Sequence, residues 1–456
     1  MIDNATLVTM DADRRVLAPG RLVIDGERIA TVQERATTID DDVGETAELV
    51  DAGGAVVLPG FVNTHHHLAA TLQRGLVDAA ALTVDGRTGG VRRALHRHQG
   101  EAECYAGTML AAVELLRSGV TTTTDSQAPW RGLGKNDGSL RAAHDSGLGV
   151  VFSPAFVDRT EIVPGEFQYG VDEAVAEFER LRDRWSSSRV RVIPEALSLP
   201  RASDDLIRRL HAAGEGTLAM HLSYSAAFAQ WAHDNVGRST IAHLDDLGVL
   251  GSGFLGSHPV YLDDDEIRRY GASGAAAAYC AVSNMFIGSG HADLRRLRAA
   301  GVRLGLGLDH PNHGHNFFET MKMSLLAQKQ RAGDADAGLP AEMLEMATIG
   351  GAAALGLESA IGSLEPGKRA DLIVLDTAAT ELSPPLGMLS LVVLAGTPEL
   401  VRHVMVGGEW LVRDRRVTHL DEVLIKAEAA QAQRSLAAAA GLDPTRLVVA
   451  ETWSLH

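Results

Sequence analysis

Residues 59–70 read "PGFVNTHHHLAA", three consecutive histidines at the end of a short apolar run. Successive side chains of a strand alternate sides, so His65 and His67 point one way and His66 the other. The run also marks a change of style along the chain. Before it, "NATLVTMDADRRV" and "GRLVIDGERIATV" alternate apolar and polar residues between turn signals, as short half-buried strands do. After it, apolar runs alternate with amphipathic helical stretches, the pattern of parallel strands covered by helices. Strands are expected at 56–62, 120–124, 149–153, 190–194, 217–220, 253–257, 275–281 and 302–308. Eight such units over roughly 300 residues match a closed (β/α)8 barrel, whose chemistry gathers at the carboxyl ends of its strands.

Strand-like text returns after Ile361 in "GKRADLIVLD", "LVVLAG" and "VRHVMVGGEWLVRDRRV", followed by a helix from Asp421 to about Gly441. The expected architecture is therefore an α/β fold. A distorted (β/α)8 TIM barrel spans 55–361, a composite β-sandwich is assembled from 1–54 and 362–420, and a helical extension covers 421–456.

Composition narrows the chemistry. The chain has 456 residues, 45% of them apolar, enough to bury one large core or two smaller ones. It has no uninterrupted apolar run long enough to span a membrane, and acids stand within 1–13 where a signal peptide would be basic and then apolar, so a cytoplasmic location is expected. Cys104 and Cys280 are too few for a thiolate zinc site, which leaves histidine and carboxylate to hold any metal. A net charge of −17 argues against nucleic acid or an anionic membrane as partner and favours a small neutral or cationic substrate.

The polar residues at the expected strand ends form a pattern. Strand one ends in His65, His66 and His67, strand five in His221, strand six in His258 and strand eight in Asp309. With His65 and His67 facing the barrel mouth, His221 and Asp309 complete a mixed nitrogen and oxygen shell that leaves a position open for water. Such an ion lowers the water's pKa from about 16 to about 7 and makes hydroxide available at neutral pH. His66 is expected to face the surrounding helices and to tolerate substitution. His96 and His98 read as surface residues, and His243 reads as a helix residue.

"LPGFVNTHHH", "AMHL", "SHPVYLDDDEI", "GLGLDH" and "GAAALGLESAIGSLEPGKRADLIVLD" together resemble the amidohydrolase superfamily, in particular its cytosine deaminase-like aminohydrolases and triazine chlorohydrolases. The resemblance covers nearly the whole chain. It implies one divalent ion, zinc ahead of iron, held by His65, His67, His221 and Asp309. Asp309 would also take a proton from the water, and His258 would stabilise the charge developing beside it. "CAVSNMFIGSG", 280–290, resembles the family's seventh-strand segment, with Ala281 in place of proline. Relatives are often homo-oligomers, and the Ala-rich tail offers an interface.

Departures from the family pattern bear on the reaction. Three residues after the strand-five histidine the deaminases usually carry a glutamate that relays a proton; here Tyr224 stands there. A phenol of pKa near 10 is a poorer acid at neutral pH. Three readings stay open: Tyr224 serves as the acid, Glu195 at the end of strand four reaches in, or the substrate needs no acid. After Asp309 the chain reads "HPNHGHN", where His310 is expected to line the pocket and His313 and His315 to supply an acid, ligate a second ion, line the pocket or lie in a solvated loop. Leu68, Ala69 and Ala70 replace a more polar pocket floor. Trp130 could stack on a planar substrate. The expected function is a metal-dependent hydrolase in which metal-bound hydroxide attacks an sp2 carbon of a nitrogen heterocycle or cyclic amidine, with deamination first. The alternatives are dechlorination, C–N ring opening, or a lyase or cyclase using the metal as Lewis acid.

Overall fold

The computed structural model describes residues 1–35, 48–76, 89–128, 131–132, 134–159, 161, 165–384 and 386–442. Trp130 and the expected tail beyond 442 lie outside them.

Both chain ends build one nine-stranded sheet. Ile2–Val8, Val16–Asp25, Arg28–Glu34 and Val50–Asp51 come from one end, and Leu372–Leu375, Val401–Val406, Glu409–Arg413 and Arg416–Val417 from the other. Val56–Pro59 joins the halves, pairing with Ile2–Val8 on one side and antiparallel with Leu372–Leu375 on the other. These two joining strands are apolar throughout because both faces are covered. Val57, Leu372 and Val374 pack with Leu7, Leu22 and Met405 in the sheet's own core, while Val56, Leu58, Ile373 and Leu375 pack into the core of the barrel.

The expected strand at 56–62 is thus two strands in two sheets. Gly60 makes the transfer possible: a Cβ there would lie 2.1 Å from the Thr121 Oγ1 of the neighbouring strand. Phe61–Asn63 then opens the barrel, followed by Val120–Gln127, Gly149–Phe156, Glu195–Ser198, Leu218–His221, Phe254–Ser257, Ala276–Tyr279 and Arg303–Leu306, all parallel. The fourth strand is broken. Val190–Val192 pairs with the third strand first, and Glu195–Ser198 resumes the pairing. Val62, Val151, Ile193, Ala219, Leu255, Ala276 and Ala278 fill the interior, sealed by Ala352 and Ala354 from the helix Ile349–Ala354. The ring closes between strands eight and one, where the Thr64 N–H donates to the Leu306 carbonyl (2.9 Å) and the Asp309 N–H to the His65 carbonyl (2.8 Å).

One expected strand is corrected. "LVVLAG" lies on the helix Met388–Leu394 and the residues after it. Its adjacent valines suggest a strand, but Val392 and Val393 are buried in the core shared with Phe317, Phe318 and Met343 of neighbouring helices, and this packing overrides local propensity. The C-terminal helix, Glu422–Ala439, lies against the barrel through Ala429 and Leu436, which meet Leu72 and Leu95. Among the described residues no helix is long and apolar enough to cross a membrane.

Phe61 fixes the first strand on its outer side. It is fully buried, stacked on Phe317 at 5.6 Å and edge-on to Phe318 at 5.3 Å. Phe61→Ala is expected to cost about 3–5 kcal/mol of unfolding free energy, measured by denaturant titration.

Candidate metal centre

Each buried polar group at the mouth stands where a strand ends. Regular pairing of strand one stops at Asn63, and the chain turns so that His65 joins Val62 on the inner side. Strand eight allows this approach with Gly307, where a Cβ would lie 2.9 Å from that of His65. Asp309 and His258 adopt left-handed backbone, with φ of 63° and 59°. Such conformations cost of order 1–3 kcal/mol in a residue with a side chain and are held only where surrounding structure dictates them.

Asp309 Oδ1 is the point of convergence. His65 Nε2 and His67 Nε2 each lie 3.1 Å from it and His258 Nε2 lies 3.5 Å away. His221 faces the same space, its ring 4.7 Å from that of His65 and stacked at 5.5 Å on that of His67. Among the described residues, ligand atoms from His65, His221, His258 and Asp309 all fall within 4.8 Å of one another.

The far side of every group is held. His67 Nδ1 lies 2.6 Å from the Ser126 carbonyl, His65 Nδ1 3.0 Å from Ser257 Oγ, and His258 Nδ1 2.9 Å from Asn284 Oδ1. Glu195 Oε1 lies 3.1 Å from His221 Nδ1. The Ser283 hydroxyl donates to Asp309 Oδ2. His65, His67 and His258 therefore turn Nε2 inward under an outer layer of hydrogen bonds of the kind that orients metal ligands, while His221 faces Glu195 through Nδ1 at ion-pair distance without hydrogen-bond geometry. Ser283 and Asn284 were not picked out as site residues in the sequence, although "CAVSN" contains both; nothing local marks them until the seventh strand is placed beside the eighth.

Charge follows burial. The His65 imidazole is pushed down to about 3 by burial, and His221 is held well below its ordinary value for the same reason. Burial pushes the Asp309 carboxyl up, but the charge of His258 and hydrogen bonds from His258, His65 and His67 outweigh it and hold the group well below the carboxylate range. An ionised carboxylate among inward-turned imidazoles, with no thiolate, is a donor set that fits one divalent ion of the zinc or iron type.

Several expected residues stand elsewhere than the sequence reading put them. Glu195 is not in the pocket: it is buried, and its carboxylate accepts from Ser126 Oγ at 2.9 Å and Ser153 Oγ at 2.7 Å besides facing His221. It cannot reach a substrate as an acid. Tyr224 is half-buried at the rim, its ring 6.4 Å from that of His258. His310 is buried at the mouth, its ring 6.4 Å from that of His67. His313 is half-buried beside Phe286, at 6.2 Å between rings. His315 turns away from the pocket, with Nδ1 2.8 Å from Glu114 Oε2 and 2.7 Å from an Arg74 nitrogen. His66 does point away from the centre, but it is fully buried against the His315 ring at 4.8 Å, so it has no solvent-facing freedom to absorb a substitution. His96 is buried beside Gln73, not on the surface, because the helix Gly89–His98 turns it inward; His98 is exposed. His243 is helical and pairs with Asp204 at 2.9 Å. Arg92, on the same helix as His96, reaches the mouth without any signal in the sequence beyond a basic stretch.

Residues 56–411 match the amidohydrolase family. The chain is 32% identical over 444 residues to a 5-methylthioadenosine/S-adenosylhomocysteine deaminase of Syntrophobacter fumaroxidans, covering 93% of this chain and 95% of that one. Its structure is similar to that of an adenosine deaminase from Xanthomonas campestris with bound zinc, with a TM-score of 0.87, 25% identity and coverage of 96% and 98%. The fold also matches that of an atrazine chlorohydrolase from Arthrobacter aurescens TC1, with a TM-score of 0.86, 23% identity and coverage of 95% and 99%.

If Glu195 orients His221, Glu195→Gln is expected to keep the fold and weaken metal affinity roughly ten- to hundredfold, read by competition with a chelator.

Proposed function

The chain belongs to the amidohydrolase family, and we propose that its barrel mouth performs hydrolytic deamination of a nitrogen heterocycle with one divalent ion, zinc, held by His65, His67, His221 and Asp309. The observation that carries this reading is the convergence of oriented imidazole Nε2 atoms on Asp309 Oδ1. When bound, the ion supplies Lewis acidity, bringing a water molecule's pKa from about 16 to about 7.

The chain's own residues do the rest. Asp309 is ionised and takes the water's proton, with Ser283 holding its second oxygen. His258, oriented by Asn284, stabilises the negative charge that grows on the incoming oxygen as the sp2 carbon is attacked. Glu195 keeps His221 in place and plays no part in proton transfer. Tyr224, at the rim beside His258, delivers a proton to the ring nitrogen adjoining the attacked carbon, the role that glutamate has where it occupies this position. Asp309 then passes its proton to the departing amine, which leaves as ammonia, and the new hydroxyl becomes the carbonyl as its proton returns to the Tyr224 phenolate.

A second reading rests on Tyr224 alone. A phenol in place of a carboxyl group also suits a leaving group that departs without protonation, as in dechlorination. Product analysis separates the two: ammonia supports the first reading and chloride the second.

The zinc-loaded protein is expected to release ammonia from at least one member of a panel of amino-substituted purines, purine nucleosides, pyrimidines, pterins and triazines, and to lose that activity on chelation and regain it with zinc. Ammonia release from none of them overturns the reading. Asp309→Asn is expected to lower kcat by roughly a thousandfold or more with little change in the unfolding midpoint. Tyr224→Phe is expected to lower kcat roughly hundredfold, and unchanged kcat would remove the phenol from the mechanism.

A further inference from the structure

Two polar side chains at the mouth have no partner. His310 is 3% exposed, and neither its Nδ1 nor its Nε2 makes a hydrogen bond. Arg92 Nε is likewise buried without an acceptor. Arg74 and Arg180, by contrast, meet carboxylates: Arg74 lies 2.9 Å from Glu114, and Arg180 lies 2.7 Å from both Asp137 and Glu177. Leaving a buried donor unpaired is costly, more so when the group is charged, and a partner that arrives with the ligand removes that cost.

The two groups flank the same space. Arg92 comes from the helix Gly89–His98, held against the C-terminal helix through Leu95, and its charge acts on Asp309, Tyr224, His67 and His310. Arg201, whose guanidinium donates to Ser198 Oγ at the end of strand four, adds a second positive charge that reaches Arg92 and His221. A chain of net charge −17 thus places two guanidiniums near the Asp309 carboxylate at its barrel mouth, and a guanidinium without its own carboxylate partner is suited to meet an anion. The His310 ring is 6.4 Å from that of His67, so the ligand group they meet sits on the reacting ring itself and not on a long tail. A guanidinium edge and an imidazole N–H that meet one ligand group together match a planar pair of oxygens.

We propose that the substrate heterocycle carries a carboxylate on its ring, bound between Arg92 and His310. This rests on the deaminase reading for the ring and departs from the neutral or cationic substrate that net charge alone favours.

The test is equilibrium binding by calorimetry of orotate and uracil, the same ring with and without a carboxylate, to the zinc-loaded protein. Neither has an exocyclic amine to release, so the result is independent of turnover, and a failed ammonia assay leaves it readable. Wild type is expected to bind orotate roughly ten- to hundredfold more tightly than uracil. Arg92→Gln is expected to lose that preference while keeping its affinity for uracil and its unfolding midpoint, and Arg92→Lys to keep part of it. Equal affinity of wild type for the two rings, binding of neither, or the same preference in Arg92→Gln overturns the proposal. The last outcome would mean that the carboxylate meets the metal ion directly.

Discussion

A single carboxylate oxygen, Asp309 Oδ1, ties the architecture to the chemistry. Three imidazole nitrogens lie within 3.5 Å of it, while the backbone N–H of the same residue donates to the His65 carbonyl and closes the barrel. The same residue therefore takes part in both the closure of the barrel and the site. The left-handed backbone at Asp309 and His258 is where this shows as strain, and both side chains are held by Ser283 and Asn284 from the helix Ala281–Phe286 that follows the seventh strand. The charge of His258 and hydrogen bonds from the surrounding imidazoles balance the buried carboxylate, and the argument for an ion at the centre is the mixed nitrogen and oxygen donor set itself.

Much of this was legible in the sequence, for reasons that particular residues make plain. The eight apolar runs were visible because parallel strands covered on both faces read as continuous hydrophobic text. His65, His67, His221, His258 and Asp309 could be collected because each follows such a run directly. The inward turn of His65 and His67 was anticipated from alternation, yet regular pairing ends at Asn63, so local turning of the chain and the space left by Gly307 also contribute. What stayed hidden depended on tertiary placement. The run at 56–62 looked like one strand because nothing in its apolar pattern distinguishes two sheets; only Gly60, pressed against Thr121, marks the crossing. "LVVLAG" carried a strand-like valine pair into a helix.

The same limit governed the site. Glu195 looked like a candidate acid because it ends a strand, but its orientation toward His221, Ser126 and Ser153 is a matter of which wall of the barrel it faces. Arg92 belongs to a connecting helix far from any strand end in sequence, so only the folded chain brings its charge to the mouth. The pocket is thus a family framework with altered contents. In the proposed mechanism the water-activating residues follow the family pattern, while Tyr224, Arg92 and His310 are the residues on which the proposed binding and leaving-group protonation rest.

The central claim is that the convergent imidazoles and Asp309 form one metal centre. Anomalous diffraction at the zinc absorption edge from zinc-loaded crystals tests it most directly. The account predicts one strong peak about 2.0–2.2 Å from nitrogen atoms of His65, His67 and His221 and an oxygen of Asp309, with His258 outside bonding distance. No peak at the barrel mouth, or a peak bonded to other residues, would contradict it.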